Sequence, residues 1–321
     1  MDTIVITGVQ GQIGTELVQA LRKQFPSSFL IGIGRSALRP QSMCMDRYFR
    51  LDIGDRRGLK ALAERYSIQT LYHLAGILSA KGEGHPHQCW SINLEGLRNI
   101  LELARELAIK VFWPSSIAVF GPHTPKELTP QWTITDPTTF YGVTKLTGEL
   151  LCQYYNHRWS LDVRSLRFPG ILSYQTLPGG GTTDFAVEMH LAAQAQRRYT
   201  CFVEPDTCLP LMYMPDAIRA IQEIMDAPAT ALRVNTSYNL AGFSATAAEI
   251  AQAIQQHRPN FTCNYAPDFR QIIANNWPHS IDDTAAQVDW GWQPRFDLQR
   301  TTADMLSHLT WRTDHVGTGS F

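Results

Sequence analysis

Ile4-Val5-Ile6-Thr7-Gly8-Val9-Gln10-Gly11-Gln12-Ile13-Gly14 begins with a short apolar run that feeds directly into three glycines. A buried strand, a glycine turn and then Ile13, Leu17, Val18 and Leu21 at helical spacing make the dinucleotide-binding start of a doubly wound sheet. Gly8 permits the tight turn, Gly11 lets the backbone approach a pyrophosphate, and Gly14 lets helix and strand pack closely. The helix N-terminus, with Gln12 and Ile13 in its first turn, takes the phosphate charge. Glycines at this spacing are weak evidence in isolation; directly after a strand they are strong.

Downstream, apolar strands alternate with helical patterns. Strands are expected at 3–7, 29–33, 70–74, 110–114 and 161–167, and helices at 13–24, 55–66, 87–107 and 140–158. That alternation predicts an α/β Rossmann-type doubly wound parallel sheet. After Arg167-Phe168-Pro169-Gly170 the pattern becomes irregular, Pro178-Gly179-Gly180-Gly181 reads as a flexible turn, and a helix follows from Asp184 to Gln196. A helix begins near Pro215, Ser237 to Leu240 reads as a short strand, and Thr246 to Gln256 as a helix. The expected division is a dinucleotide-binding domain over 1–170 with returning segments at about 208–241, and a smaller discontinuous α/β substrate lobe over 171–207 and 242–311. Residues 312–321 lack periodicity and read as a frayed tail.

A second set of residues carries chemistry. Tyr141 and Lys145 are four apart, so on a helix they share a face, and the cation can stabilise a phenolate. Free tyrosine, with a pKa of about 10, is a poor base near neutrality, so a fall of ~3 units is required; Lys145 and a bound cationic nicotinamide are expected to supply it. Ser116 precedes Tyr141 by enough chain for a strand end, a loop and a helix start, which can bring its hydroxyl beside the phenol. Hydroxyl, phenol and ammonium together suit alcohol oxidation. A lone Tyr and Lys at this spacing would be only an exposed helix face.

Composition bounds the partners. The 321 residues carry 28 basic and 29 acidic side chains, for a net charge of −1, and no basic stripe, so nucleic acid is not expected. The N-terminus enters a strand at once and no run of eighteen apolar residues follows, so membrane spanning and secretion are disfavoured and a cytoplasmic protein is expected. Six cysteines without a CxxC pair are too sparse for a disulfide framework. His85-Pro86-His87-Gln88-Cys89 has no evident fourth ligand, and its proline marks a polar loop before a helix, so no metal is expected.

With these residues in view, the chain resembles the extended short-chain dehydrogenase/reductase family, and within it the branch of short-chain L-threonine 3-dehydrogenases, from about Ile4 to about Leu306. The wider family is carried by Gly11-Gln12-Ile13-Gly14-Thr15-Glu16-Leu17 and by Phe112-Trp113-Pro114-Ser115-Ser116-Ile117-Ala118-Val119-Phe120-Gly121-Pro122. The branch is carried by the segments at 72–83, 178–184, 209–217 and 265–271. The resemblance implies oxidation of L-threonine at its 3-hydroxyl to 2-amino-3-ketobutyrate, NAD as hydride acceptor, and a homodimer. It makes Tyr141 the base, Lys145 the holder of the nicotinamide ribose and Ser116 the hydrogen-bond donor to the reacting oxygen. It makes Ser79, Thr183 and Asp184 substrate-binding, although Thr183 and Asp184 also read as a helix N-cap. Asp52 and Ile53 match the pair that meets adenine, while Leu74, Ala75 and Gly76 line the cofactor trough. Trp277 matches a family element near the site mouth, but it also reads as lobe core.

One position departs from the pattern. NAD enzymes of this fold end the second strand in Asp or Glu, about 20 residues beyond the last glycine, to bind the adenosine ribose; here that slot holds Gly34, followed by Arg35 and Ser36. Arg35 and Ser36 suit a 2′-phosphate, so NADP stands beside NAD. Two rival functions share parts of the pattern. A nucleotide-sugar epimerase or dehydratase shares the glycines and the Ser-Tyr-Lys set, and a non-catalytic redox sensor shares the glycines alone.

Overall fold

The computed structural model describes residues 2–37 and 44–309; the expected frayed tail at 312–321 lies outside the described residues. The first half of the chain runs β1 (Thr3–Thr7), α1 (Gln12–Gln24), β2 (Phe29–Gly34), β3 (Arg47–Arg50), α2 (Arg56–Tyr66), β4 (Ile68–His73), α3 (Ser79–Gly84), α4 (Pro86–Trp90), α5 (Gly96–Leu107), β5 (Lys110–Ser116), α6 (Phe140–Trp159) and β6 (Val163–Phe168). It continues with β7 (Gly170–Leu172), α7 (Asp184–Gln194), β8 (Tyr199–Cys201), β9 (Cys208–Tyr213), α8 (Met214–Asp226), β10 (Tyr238–Asn239), β11 (Phe243–Thr246), α9 (Ala247–His257), β12 (Cys263–Tyr265), α10 (Phe269–Asn275), α11 (Thr284–Trp290) and α12 (Leu298–His308). Seven parallel strands in the order β10-β6-β5-β4-β1-β2-β3 make the main sheet. The order reverses between β1 and β4, and ligands of such sheets bind in the crevice at that reversal.

Helices cover both faces. Leu17, Val18 and Leu21 of α1 are fully buried with Ile218, Ile221 and Ile224 of α8. Leu97, Ile100 and Leu101 of α5 pack with Val5, Ile31 and Val111 on the other face. Each such side chain contributes roughly 1.5–3 kcal/mol of apolar burial. A third core joins Ile117, Val119 and Phe120, just past β5, to Phe185, Met189, Leu209, Ile250 and Trp277.

The expected strands and helices of the first half match the observed elements to within two residues, with one exception. The helix expected over 87–107 is α4, a π turn over Ser91–Glu95, and α5. The polar loop expected around His85 and Cys89 is also corrected: Pro86 starts a helix and Cys89 is buried. The segment at 208–241, expected to rejoin the main sheet, divides. β9 joins β7 and β11 in a three-stranded sheet, whereas α8 packs against α1 and β10 completes the main sheet beside β6. Among the described residues, no helix is long and apolar enough to cross a membrane, and no group of three His, Cys, Asp or Glu side chains could hold a metal.

Candidate active site

The glycine turn is built as its spacing implies. Gly8 adopts φ 66°, and a Cβ there would stand 2.7 Å from the Ala75 amide nitrogen, so only glycine lets the turn cross beneath the β4 exit. Gly11 caps α1 without a side-chain hydrogen bond, and the first turn holds no acid. Among the described residues no side chain caps the helix, which presents its first N–H groups and its positive end toward the crevice, and this fits a pyrophosphate. Leu74 and Gly76 line the cavity with Gln12 and Ile13. Ala75 instead backs Gly8, its amide 3.4 Å from Thr7 Oγ1.

At the end of β5, Ser116 Oγ accepts from the Ala118 amide at 3.2 Å and lines the same cavity as Tyr141. Thr139 caps α6 by accepting from the Gly142 amide at 3.0 Å, which places Tyr141 in the first turn facing the strand end. Burial pushes the Tyr141 phenol up to about 12, against the opposing pull of Ser116. Lys145, one turn on, is buried and brought down to about 8 by the same cause. Its ammonium donates to the Pro114 carbonyl at 2.6 Å, and lies 4.7 Å from the Trp113 ring centre and 5.6 Å from that of Tyr141. Burial therefore outweighs every lowering influence on the phenol in this arrangement. Lys145 gives one of its three donors to Pro114, and desolvation dominates the phenol.

The glycine-rich turn before α7 forms the opposite wall. Ser79 Oγ lies 3.1 Å from Thr182 Oγ1 and accepts from the Thr182 amide at 3.1 Å, tying α3 to the turn. Asp184 Oδ2 accepts from the amides of Gly180 and Gly181 at 2.8 and 2.7 Å. Thr183 is the N-cap residue of α7 but makes no side-chain cap bond, so the expected capping role passes to the back-reaching Asp184 carboxylate. Burial raises the pKa of that carboxylate, with the two amides pulling it down. Its Oδ1 takes no hydrogen bond among the described residues.

One cavity of about 150 Å³ is lined by Ser116, Tyr141 and Lys145 on one side and by Ser79, Thr183 and Asp184 on the other. Trp277 lines it too and at the same time belongs to the third core. Asp52, Ile53 and Arg35 lie outside this cavity. Asp52 Oδ1 holds the Gly54 amide at 2.8 Å, Ile53 packs where a Gly96 side chain would stand, and Arg35 is exposed just past β2.

Sequence reading missed several residues behind the cavity. Asn93, in the π turn, accepts from the Ile77 amide at 2.8 Å, and its amide group reaches Thr144 Oγ1 at 3.1 Å and Cys89 Sγ at 3.3 Å. The π turn widens the helix there, a device frequent at functional sites. Glu149, 1% exposed, accepts from Ser115 Oγ at 2.6 Å and pairs with Arg167 at 2.7 and 2.9 Å, joining α6, β5 and β6. His73 Nδ1 lies 2.8 Å from Thr7 Oγ1, and burial brings that imidazole down to about 3. None of these stands in a motif with characteristic spacing. Only Thr182, beside two residues already singled out, had a nearby signal.

The sequence profile of the NAD dependent epimerase/dehydratase family matches residues 4–241. A Staphylococcus haemolyticus protein described as an uncharacterized epimerase/dehydratase is 43% identical over 311 residues, covering 96% of this chain and 98% of its own length. Among solved structures, an L-threonine dehydrogenase from Cupriavidus necator in its holo form is 47% identical, with a TM-score of 0.93, covering 96% of this chain and 100% of that one. A monomeric L-threonine 3-dehydrogenase of metagenomic origin is 44% identical, with a TM-score of 0.92, covering 95% and 98%.

Proposed function

The chain belongs to the NAD-dependent epimerase/dehydratase family, and on that premise we propose that it oxidises L-threonine at its 3-hydroxyl to 2-amino-3-ketobutyrate, with a nicotinamide dinucleotide, NAD by family tendency, as hydride acceptor. The observation that carries this reading is the single cavity of about 150 Å³ in which the Ser116, Tyr141 and Lys145 side chains meet Ser79, Thr183 and Asp184. Four-tenths or more sequence identity to L-threonine dehydrogenases over nearly the whole chain supports the same substrate.

The residues divide the work. Gly8, Gly11, Gln12, Ile13 and Gly14 would hold the pyrophosphate, Leu74 and Gly76 the walls of the trough, and Lys145 the nicotinamide ribose; when bound, the oxidised ring supplies the hydride acceptor and a positive charge. Tyr141, ionised, removes the proton of the substrate hydroxyl as the C3–H bond breaks and the C–O bond becomes a carbonyl. Ser116 donates a hydrogen bond to that oxygen through its change of charge. Asp184 Oδ1 faces the substrate ammonium, which offsets the cost of burying the carboxylate. The amides and hydroxyls of Thr182 and Thr183 take the substrate carboxylate.

Assembly and compartment follow the same reading. Val143, Leu150 and Tyr154 leave an exposed apolar stripe along α6, which supports a homodimer. The six cysteines are free thiols, which suits a reducing cytoplasm. The deciding experiment pairs dinucleotide reduction followed by absorbance with L-threonine against chromatography of the sugar nucleotide after incubation with UDP-galactose, because an epimerase returns its hydride and leaves no net reduction. Turnover with threonine alone is expected. Turnover of the sugar nucleotide without threonine oxidation would replace this reading with an epimerase.

A further inference from the structure

Nicotinamide-dinucleotide folds that select NAD place a carboxylate at the end of the second strand, where it takes the ribose hydroxyls and repels a 2′-phosphate. In this chain that position is Gly34, with side-chain ends filling the space beside it and two arginines next to it along and across the strands. A Cβ on Gly34 would stand 2.8 Å from both Gln10 Oε1 and the Tyr48 hydroxyl, closer than side-chain carbons approach such atoms. The Tyr48 hydroxyl occupies the space, 3.0 Å from Gln10 Oε1 and 2.8 Å from the Ser36 carbonyl oxygen. The place an acid would take is thus filled by side-chain ends reaching in from Gln10 and from β3, which an acid would have to move aside.

The same strand brings a second arginine. β2 and β3 run parallel with Gly34 opposite Arg50. Residues two apart in a strand point to one face, so Arg50 shares the face of Tyr48. Arg35 follows Gly34 directly. Both arginines are exposed, and among the described residues neither is paired with a carboxylate. Asp52, the next acid along the chain, has Oδ1 engaged by the Gly54 amide at 2.8 Å.

We infer that the ends of β2 and β3 form a 2′-phosphate site in which Arg35 and Arg50 are the specificity-determining residues, so that a 2′-phosphorylated dinucleotide binds more tightly than its unphosphorylated counterpart. Guanidinium groups match a phosphate with paired, charge-assisted hydrogen bonds, and a phosphate brings nearly two charges for them to neutralise. This inference rests on the dinucleotide reading above but not on the identity of the alcohol.

The test is calorimetric titration of the whole protein with adenosine 2′,5′-bisphosphate and with 5′-AMP at low salt. The bisphosphate is expected to bind roughly tenfold more tightly or better, with the advantage shrinking as salt rises. Arg35→Ala and Arg50→Ala should each remove several-fold of the bisphosphate affinity and leave 5′-AMP affinity unchanged. Equal or weaker binding of the bisphosphate overturns the inference, as does a preference that survives both substitutions. A protein that shows the preference but does not oxidise threonine loses only the substrate assignment, whereas failure to bind either nucleotide removes the dinucleotide reading as well.

Discussion

The ammonium of Lys145 lies 2.6 Å from the carbonyl oxygen of Pro114, while the centre of the Tyr141 ring is 5.6 Å away. The cation is thus held at the end of β5 before any phenolate forms, in a setting that already disfavours its charge. Between about pH 8 and the ordinary lysine value of 10.5, the unfolded chain binds a proton that the folded chain does not. Stability from this group therefore rises with pH through that window, and at pH 7 the folded state carries the full cost of a buried cation. Lys145→Met should abolish turnover yet stabilise the ligand-free protein at pH 7 by up to ~3 kcal/mol. Urea unfolding checks this. A destabilised variant would mean that the Pro114 and Trp113 contacts outweigh desolvation.

Tyr141→Phe should lower kcat by orders of magnitude with dinucleotide affinity nearly unchanged, because the phenol acts on the proton in flight. Ser116→Ala removes one hydrogen bond to developing charge and should cost ~10²-fold. Since burial holds the phenol at about 12, the wild-type kcat/KM should climb with pH on its acid limb. Near-normal turnover by the phenylalanine variant would remove Tyr141 as the base.

Ser79 and Asp184 act on the same turn in different ways, and kinetics should separate them. Asp184→Asn keeps the shape while removing charge, so it should raise the KM for threonine by roughly 10- to 100-fold with a smaller effect on kcat. Ser79→Ala loosens the Thr182 contact and should lower kcat and raise KM together. A normal KM in the asparagine variant would assign the ammonium to another group.

Two buried imidazoles set an acid limit on the fold. Burial brings His73 down to about 3 and His190 down to about 4, so both stay neutral when folded but take a proton when unfolded below about pH 6.5. Stability should fall as pH drops from 6.5 toward 4, by ~1.4 kcal/mol per pH unit for each ring. His73→Asn should flatten that slope in a pH series of denaturant midpoints; an unchanged slope would place the acid sensitivity elsewhere.

Gly34→Asp tests how firmly Tyr48 holds its space. The new side chain must displace the ring, so the single variant should lose affinity for both dinucleotides. Adding Tyr48→Ala should restore binding of NAD in preference to NADP. A clean shift toward NAD from Gly34→Asp alone would show that Tyr48 yields easily.

The first half of the fold was legible because each of its elements is local. The glycine turn follows its strand directly, and helices such as α1 and α5 carry an apolar stripe at helical spacing that has only one way to be buried. The second half was less legible: β7, β8 and β12 are only three residues long. Strands that short are specified by partners far along the chain rather than by their own pattern.

At the site the division is sharper. The residue types and spacings of Ser116, Tyr141 and Lys145 are set by the sequence, because a strand end and a helix face fix which side chains can meet. Tertiary structure alone decided that Lys145 turns to Pro114, that Ser79 meets Thr182 across 103 positions of chain, and that Tyr48 fills the place of an acid at Gly34. Spacing along a chain determines which groups can share an element; only packing determines how far each is desolvated and which hydrogen bond it spends itself on.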